Sequence, residues 1–163
     1  MRILGIDPGL DGGLVCLENL RVIGRLVMPT LEAPNGKGRE YELQFILQAW
    51  KSWQPDHAVI EQAQAMPGQG VTSCYSIGKG FGYLVGMLAA LNIPYQTVRP
   101  RIWQKIIFTG LPHDDTKAAS ALFCQRRWPT VDWRASERCH KAHDGLTDAA
   151  CLAEYDRRTN GDQ

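Results

Sequence analysis

Residues 2–9 read R-I-L-G-I-D-P-G, a nearly continuous apolar run that stops at a proline and a glycine. Such a run is typical of a strand buried on both faces, and Pro8-Gly9 predicts a turn at its end. Segments 13–18 and 21–28, on either side of Asn19, predict two more strands. This part of the chain is expected to form a three-stranded antiparallel meander, with Asp7 at the end of its first strand.

Helices and strands alternate in the rest of the chain. Apolar spacing predicts helices over residues 40–53, 72–91, 101–107, 114–128 and 143–157, strands over 57–62 and 95–98, and a loop over 29–39. Strands separated by helices are typical of parallel pairs joined by helical crossovers. We therefore expect an α/β fold with a five-stranded mixed sheet, in which parallel strands extend the meander and helices flank both.

The composition fits one globular domain over residues 1–163, since 44% of the residues are hydrophobic and 21% are charged. The five cysteines are far apart and never spaced C-x-x-C, which favours reduced thiols in a cytoplasmic compartment. The longest apolar stretch, residues 83–91, is about half of the ~20 residues that a membrane span needs. Because the first residues lead directly into a predicted strand, we expect no leader segment and no membrane partner.

Positive charge is concentrated in one half of the chain, although the net charge is only +1. Residues 62–141 carry ten lysines and arginines against four acids. A local surplus of this kind fits a polyanionic ligand such as nucleic acid, and it also fits a solvated basic face.

Four acidic residues lie on predicted apolar elements. Asp7 ends a buried strand, Glu61 lies in the run V-I-E-Q, and Asp144 and Asp148 share one face at the start of a helix. Singly, they are explained as a turn residue, a strand-end acid, a helix cap and a first-turn acid. Together they indicate a site for Mg²⁺ or Mn²⁺, because an ionised carboxylate is costly to bury without a partner. Two such ions support phosphodiester hydrolysis.

Four motifs resemble, in order and spacing, the RuvC family of Holliday junction resolvases, which belongs to the ribonuclease H-like superfamily. They are G-I-D-P-G at 5–9, I-E-Q at 60–62, G-K-G-F-G-Y at 78–83 and H-D-G-L-T-D-A-A at 143–150. The resemblance implies a ribonuclease H-like fold, a homodimer, and paired cuts in two opposed strands of a four-way DNA junction. It also implies two Mg²⁺ ions per active site, replaceable by Mn²⁺, held by Asp7, Glu61, Asp144 and Asp148.

The resemblance also implies a role for each residue. Asp7 is expected to bridge both ions and Glu61 to bind one, while Asp144 and Asp148 bind the other ion or the attacking water. Lys117 resembles the family's lysine near the scissile phosphate and is expected to stabilise negative charge there.

Some details are specific to this chain. The four-residue spacing of the last two acids is closest in pattern to phage-encoded and chloroplast members, which suggests the cytoplasm of a bacterial cell or of a phage-infected host. His143 stands beside Asp144, and either side chain is a candidate ligand for the second metal. Bacterial members can carry an aromatic wedge shortly after the strand glutamate, where this chain has Gln64 and Met66.

Cations of the basic half are candidate contacts to DNA phosphates, although arginines at helix ends are often simply solvated. Lys105, which directly follows Gln104, lies one position from the place expected for a second lysine of the family. The loop 36–39, G-K-G-R, is a further segment that could order on DNA. The candidates for DNA binding are Lys79, Arg99, Arg101, Lys105, Lys117, Arg126 and Arg127.

Two other patterns have both a packing and a functional interpretation. Gly78, Gly82 and Gly86 form a smooth helical stripe, either for packing within the chain or for a dimer interface. The same region is not a phosphate loop, because Lys79 is followed by glycine, so no nucleotide cofactor is expected. Core or surface packing is the simplest interpretation of three tryptophans, with base stacking as the alternative; these are Trp103, Trp128 and Trp133.

Other functions fit parts of the sequence. A junction-binding protein without cleavage, or a ribonuclease H-like nuclease for another branched or hybrid substrate, would share the fold. G-I-D-P-G also resembles the phosphate loop of actin-like ATPases, but Leu10 stands where those proteins usually have a hydroxyl residue, and the chain is too short for two lobes. Zinc at residues 139–143 is disfavoured because no second ligand pair has the usual spacing.

Overall fold

Strands and helices alternate along the part of the chain that the computed structural model describes, residues 1–34, 36–64, 68–112 and 115–160. The strands are β1 (Arg2–Asp7), β2 (Gly13–Glu18), β3 (Arg21–Val27), β4 (Thr30–Glu32), β5 (Arg39–Tyr41), β6 (His57–Glu61) and β7 (Tyr95–Val98). The helices are α1 (Leu43–Trp53), α2 (Val71–Ala90), α3 (Pro100–Ile107), α4 (Thr116–Arg127) and α5 (Asp144–Asn160).

The main sheet has five strands in the order β3-β2-β1-β6-β7. β1, β2 and β3 form the antiparallel meander, and β6 and β7 extend it as parallel strands. This arrangement confirms the predicted mixed α/β sheet. β1 and β6 are aligned so that Ile6 pairs with Ile60, which places the next residues, Asp7 and Glu61, side by side at the carboxyl ends of both strands.

A hydrophobic core lies on each face of this sheet. Successive strand residues point to opposite faces, so Leu4 and Ile60 pack with α1 and α2, while Ile3 and Val59 pack with α3, α4 and α5. The packing interpretation of Trp103, Trp128 and Trp133 is confirmed, because all three are buried in the second core. Among the described residues, no helix is long and apolar enough to cross a membrane.

The prediction of a loop over residues 29–39 is wrong in part. β4 and β5 pair there as a separate antiparallel hairpin, with Leu31 opposite Glu40. As a result α1 begins at Leu43, three residues later than predicted, because Arg39–Tyr41 are committed to strand pairing.

Two helix boundaries also differ from the prediction. Asp114, the predicted start of the fourth helix, lies outside the described residues; α4 begins at Thr116, where the Asp115 carboxylate caps the helix by accepting the N–H of Ala118 at 2.8 Å. α5 runs three residues past its predicted end, to Asn160, whose side-chain amide donates to Asp156. The longer helix therefore keeps a hydrogen-bonded last turn.

The glycine stripe of α2 faces away from the rest of the chain. A Cβ added at Gly78, Gly82 or Gly86 would meet no described atom within 4 Å. The interpretation that this stripe packs within the chain is therefore wrong for the described residues. Gly80 faces inward instead, where a Cβ would overlap the ring of Tyr41.

Candidate active site

The carboxyl ends of β1 and β6 bring Asp7 and Glu61 together. Asp7 lies two residues beyond Gly5 and Glu61 two residues beyond Val59, so both side chains point to the sheet face that α5 covers. Neighbouring strands of a sheet lie about 4.8 Å apart, which puts the two carboxylates within electrostatic reach of each other. The sheet register therefore supplies half of the predicted acidic site.

Glycines let α5 approach the sheet closely enough to supply the other half. A Cβ at Gly5 would overlap the carbonyl oxygen of Ala149, and a Cβ at Gly145 would overlap the backbone of Gly12. The backbones of Gly5 and Ala149, and those of Gly145 and Gly12, thus lie too close together for a side chain between them. The first turns of α5 therefore lie against the end of β1. Asp144 and Asp148 stand on these turns, and both lie close enough to Asp7 to raise its pKa.

Asp7 is the most perturbed of the four acids. Burial, followed by repulsion from Asp148 and Glu61, raises its pKa from 3.8 to about 7, against the smaller opposing effect of a hydrogen bond from the Gly9 N–H. A carboxylate with this pKa is only about half ionised at neutral pH. A cation bound beside it would favour the ionised form.

The pKa values of two other acids are also raised. For Asp148, burial raises the pKa to about 6, and repulsion from Asp144 adds to it, while the Ser120 hydroxyl and Lys117 oppose the change. For Glu61, burial is again the largest cause, opposed by the hydrogen bond from Trp103. Perturbed acids of this kind cluster at functional sites more often than elsewhere.

Three of the acids have a partner of their own. The Trp103 indole N–H donates to Glu61 Oε2 at 2.7 Å, and the Ser120 hydroxyl donates to Asp148 Oδ1. Lys117 Nζ forms an ion pair with Asp144 Oδ2 at 2.9 Å, with both side chains more than half exposed. Within residues 1–34, 36–64, 68–112 and 115–160, no three His, Cys, Asp or Glu side chains form a group that could hold a metal ion.

Lys117 therefore lies beside Asp144, one of the four acids. His143 lies at the start of α5, where its carbonyl accepts the N–H of Thr147 and its Nδ1 accepts the N–H of Leu146 at 3.4 Å. The ring of His143 is thus engaged with the first turn of α5. Gln64 is exposed beyond β6, and Met66 lies outside the described residues.

Sequence reasoning missed three residues that support the acids. For Trp103 the sequence predicts packing, with base stacking as the alternative; its ring is buried, and its N–H also orients Glu61. Ser120 lies one helical turn after Lys117, a spacing that could have identified it. The Tyr41 hydroxyl donates to the carbonyl of Pro8 in the turn that follows Asp7, a long-range contact with no local signal.

The other predicted DNA-binding cations have different surroundings. Lys79 pairs with Glu40 at 3.0 Å, and Arg99 donates to Gln62 just beyond Glu61. A groove of 310 Å³ near the start of α4 is lined by residues that include Arg101 and Lys105.

At the far end of α4, Arg126 is exposed, whereas Arg127 lies 3.6 Å from the buried carboxylate of Glu154. Ten residues of helix, about 15 Å, separate Arg127 from Lys117. Arg39, the last residue of the predicted loop 36–39 and the first residue of β5, is paired with Asp11 at 2.7 Å. Arg101 and Lys105 thus share a groove with Thr116, the residue before Lys117, whereas Arg126 and Arg127 lie in the last turn of α4.

The sequence matches no protein-family model and no curated protein. Solved structures do match it. Thermus thermophilus RuvC in complex with a Holliday junction substrate aligns with a TM-score of 0.67 at 20% identity, over 95% of this chain and 92% of that one. The yeast mitochondrial Holliday junction resolvase aligns with a TM-score of 0.54 at 13% identity, over 94% and 76%.

A third match is the fowlpox virus resolvase in complex with its substrate Holliday junction DNA, with a TM-score of 0.51 at 11% identity, over 93% and 95%. At these identities the matches establish the fold. The chain has the ribonuclease H-like fold of these resolvases, with the mixed five-stranded sheet that its sequence predicts.

Proposed function

We propose that this protein is a metal-dependent endonuclease that resolves four-way DNA junctions by cutting two opposed strands, a crossover junction endodeoxyribonuclease. The observation that carries the proposal is the meeting of Asp7, Glu61, Asp144 and Asp148 at one end of β1, in a fold shared with resolvases. The spacing of the last two acids supports a place near the phage-encoded and chloroplast members, and a cytoplasmic location.

The chemistry of the four side chains fits Mg²⁺, with Mn²⁺ as a substitute. Carboxylate oxygens are the ligands these hard ions prefer, and the pKa of Asp7 is raised first by burial and then by repulsion from the neighbouring acids, which a bound cation would offset. Asp7 would contact two ions, Glu61 one of them, and Asp144 and Asp148 the other. When bound, such ions polarise the scissile phosphate and lower the pKa of the attacking water.

Neighbouring residues of this chain would prepare the acids for that task. Trp103 fixes Glu61 Oε2 and leaves its other oxygen available, and Ser120 does the same for Asp148. The ion pair with Lys117 engages Asp144 Oδ2 and leaves its other oxygen available as a ligand. The exposed ammonium group of Lys117 would stabilise the negative charge that develops on the phosphate.

DNA contacts follow from the placement of the cations. Lys117 pairs with Asp144, and Arg101 and Lys105 line a groove that reaches Thr116, the residue before Lys117; these three cations would position the strand that is cut. Lys79, Arg126 and Arg127 lie on other parts of the surface, and Arg99 lies beside Gln62, just beyond Glu61; these four cations would hold the junction arms. Arg127 is expected to contribute least, because it already faces the buried Glu154.

The exposed face of α2 supports a homodimer. Its three outward glycines leave a smooth surface, beside Tyr75 and Tyr83, which are 68% and 40% exposed. Two copies that pack through this face would present two active sites, one for each opposed strand.

The decisive experiment is a cleavage assay on an immobile four-way junction, a matched duplex and an RNA:DNA hybrid, each with Mg²⁺, Mn²⁺ or EDTA. We expect paired, metal-dependent nicks in two opposed strands of the junction alone. Asp7→Asn should abolish cleavage while junction binding survives. Cleavage that persists in this variant would contradict the metal assignment, and cleavage of the hybrid instead would indicate another nuclease of the same fold.

A junction-binding protein without cleavage is the second candidate. The observation that favours it is that the described carboxylates, as they stand, form no group able to hold an ion. Calorimetric titration with Mg²⁺ and Mn²⁺ separates the two candidates. A nuclease should show a site that is lost on Glu61→Gln, whereas a binding protein should show none.

A further inference from the structure

A cavity of 690 Å³ opens beside the acidic site, between α4 and the segment 140–142. Its wall includes Lys117 and Asp144, the ion pair at the edge of the four acids. The volume lies within the ~300–1,000 Å³ typical of sites for small ligands. If the scissile phosphate of a DNA strand lies at the acids, the neighbouring nucleotide of that strand would therefore lie near this cavity.

One face of α4 forms the apolar side of the cavity. Ala118, Ala121 and Gln125 line it and follow the spacing of a single helix face. The opposite face of α4 packs on α5 through Ser120 and Cys124. The cavity-lining face is therefore not required for packing α4 on α5, and its small side chains leave a flat methyl surface.

Polar groups surround this methyl surface. The side-chain amide of Gln125 can both donate and accept hydrogen bonds, as the edge of a nucleobase requires. His140 and Lys141 stand across from it on the segment 140–142. Both are exposed, and their side chains form no hydrogen bond or ion pair with any residue that the structure describes.

A second cavity of 490 Å³ shares residues 140–142 with the first and adds Arg138. Lys117, Lys141 and Arg138 thus form a cationic track that leads away from Asp144 along the two cavities. Cations in sequence along a groove are typical of contacts to successive phosphates.

We propose that the first cavity, between α4 and the segment 140–142, binds one nucleotide of the cut strand, adjacent to the scissile phosphate. The base lies on the methyls of Ala118 and Ala121, Gln125 reads its edge, and Lys141 holds its phosphate. This inference rests on the proposed function and adds to it the part of the protein that sets base preference near the cut.

The base contact is tested with a series of junctions that carry each of the four bases in turn at the positions flanking the exchange point. The rate of cleavage is measured for each junction. Gln125→Ala should reduce the ratio of rates between the best and worst base by about tenfold, the size of one good base contact. Gln44→Ala, an exposed glutamine on α1 across the sheet, should leave the ratio unchanged. An unchanged ratio in Gln125→Ala would overturn the assignment of Gln125.

The variant Lys141→Ala tests phosphate binding independently of base recognition. Lys141→Ala should slow cleavage of all sequences by a similar factor and reduce the dependence of binding on salt. Lys51→Ala, on the exposed side of α1, is its matched control and should have neither effect. A change confined to one base would overturn the phosphate role.

Photo-crosslinking locates the nucleotide without depending on cleavage. Junctions with 5-iododeoxyuridine at each position near the exchange point are crosslinked to the wild-type protein, and the attachment sites are mapped by mass spectrometry. We expect attachment within 116–125 or at His140. Attachment confined to other elements, with cleavage intact, would overturn the cavity assignment alone. A wild-type protein that neither binds nor cuts the junction would overturn the proposed function as well.

Discussion

Replacing Asp7 by asparagine should stabilise the metal-free protein at neutral and alkaline pH. The carboxyl of Asp7 is buried among other acids, and its pKa in the folded protein is about 7, against 3.8 as the ordinary value. Below pH 4 the group is protonated in both the folded and the unfolded chain, and it has no effect on stability. Between pH 4 and 7 the unfolded chain loses this proton while the folded protein keeps it, so stability falls as the pH rises.

The magnitude follows from the difference between the two pKa values. Each pH unit corresponds to roughly 1.4 kcal/mol, so a difference of about three gives a penalty of roughly 4 kcal/mol at pH 8. The asparagine amide needs partners of its own, and the gain in Asp7→Asn is therefore expected at about 2–4 kcal/mol.

Urea denaturation followed by tryptophan fluorescence, in EDTA at pH 4, 6 and 8, measures this effect. The advantage of Asp7→Asn should be close to zero at pH 4 and largest at pH 8, and Mg²⁺ should stabilise the wild-type protein only. Asp11→Asn, at an exposed aspartate in the next turn, should show little change at any pH. A variant no more stable than the wild type at pH 8 would refute the idea that mutual repulsion and burial destabilise the site.

Three further predictions follow from the site. The rate of single-turnover cleavage should increase from about pH 5.5 to 7.5, because Asp7 and Asp148 must lose protons. The midpoint of this pH profile should move to lower pH at higher Mg²⁺ concentration. A pH-independent rate would contradict this prediction. Gly145→Ala should lower the free energy of unfolding by about 1–3 kcal/mol or more, because its Cβ would overlap the backbone of Gly12. Gly82→Ala, whose Cβ would meet nothing within 4 Å, should instead stabilise the monomer by up to ~1 kcal/mol. Urea denaturation measures both variants, and equal effects would refute the close approach of α5. Trp103→Phe should raise the Mg²⁺ concentration for half-maximal cleavage several-fold without weakening junction binding in a gel-shift assay, since the hydrogen bond to the carboxylate is lost along with part of the buried ring. Unchanged Mg²⁺ dependence would show that the indole does not position the acid.

The main sheet is predictable from sequence because its strands carry strong local signals. β1 is an apolar run closed by a turn, and the helices between the later strands require parallel pairing. The hairpin of β4 and β5 has only three residues in each strand and lies in a segment rich in proline and glycine. Its contacts, such as that of Tyr41 with Pro8, join residues far apart in sequence. Local periodicity does not contain this information.

The acidic site is likewise predictable from sequence only in part: the positions of the acids are, and those of their hydrogen-bond partners are not. Asp7 and Glu61 are carried to one edge by the register of two strands, so the sequence pattern implies their proximity. The partners Trp103 and Ser120 depend instead on how α3 and α4 pack around α5. Such contacts depend on tertiary packing, which no single segment specifies.

The hairpin of β4 and β5 pairs with no other strand in the described part of the chain. A two-stranded sheet is marginal by itself, so its order depends on side chains that reach other elements: Arg39 to Asp11, Glu40 to Lys79, and Tyr41 to Pro8. We therefore expect its free energy of opening to be lower than that of the whole domain, and the amide hydrogens of β4 and β5 to exchange earlier than those of β1. Each opening would withdraw the Tyr41 ring from the core beside α2 and uncover the turn after Asp7 while the main sheet stays paired, so the rigidity of this end of the active site is limited by the hairpin and not by the stability of the sheet.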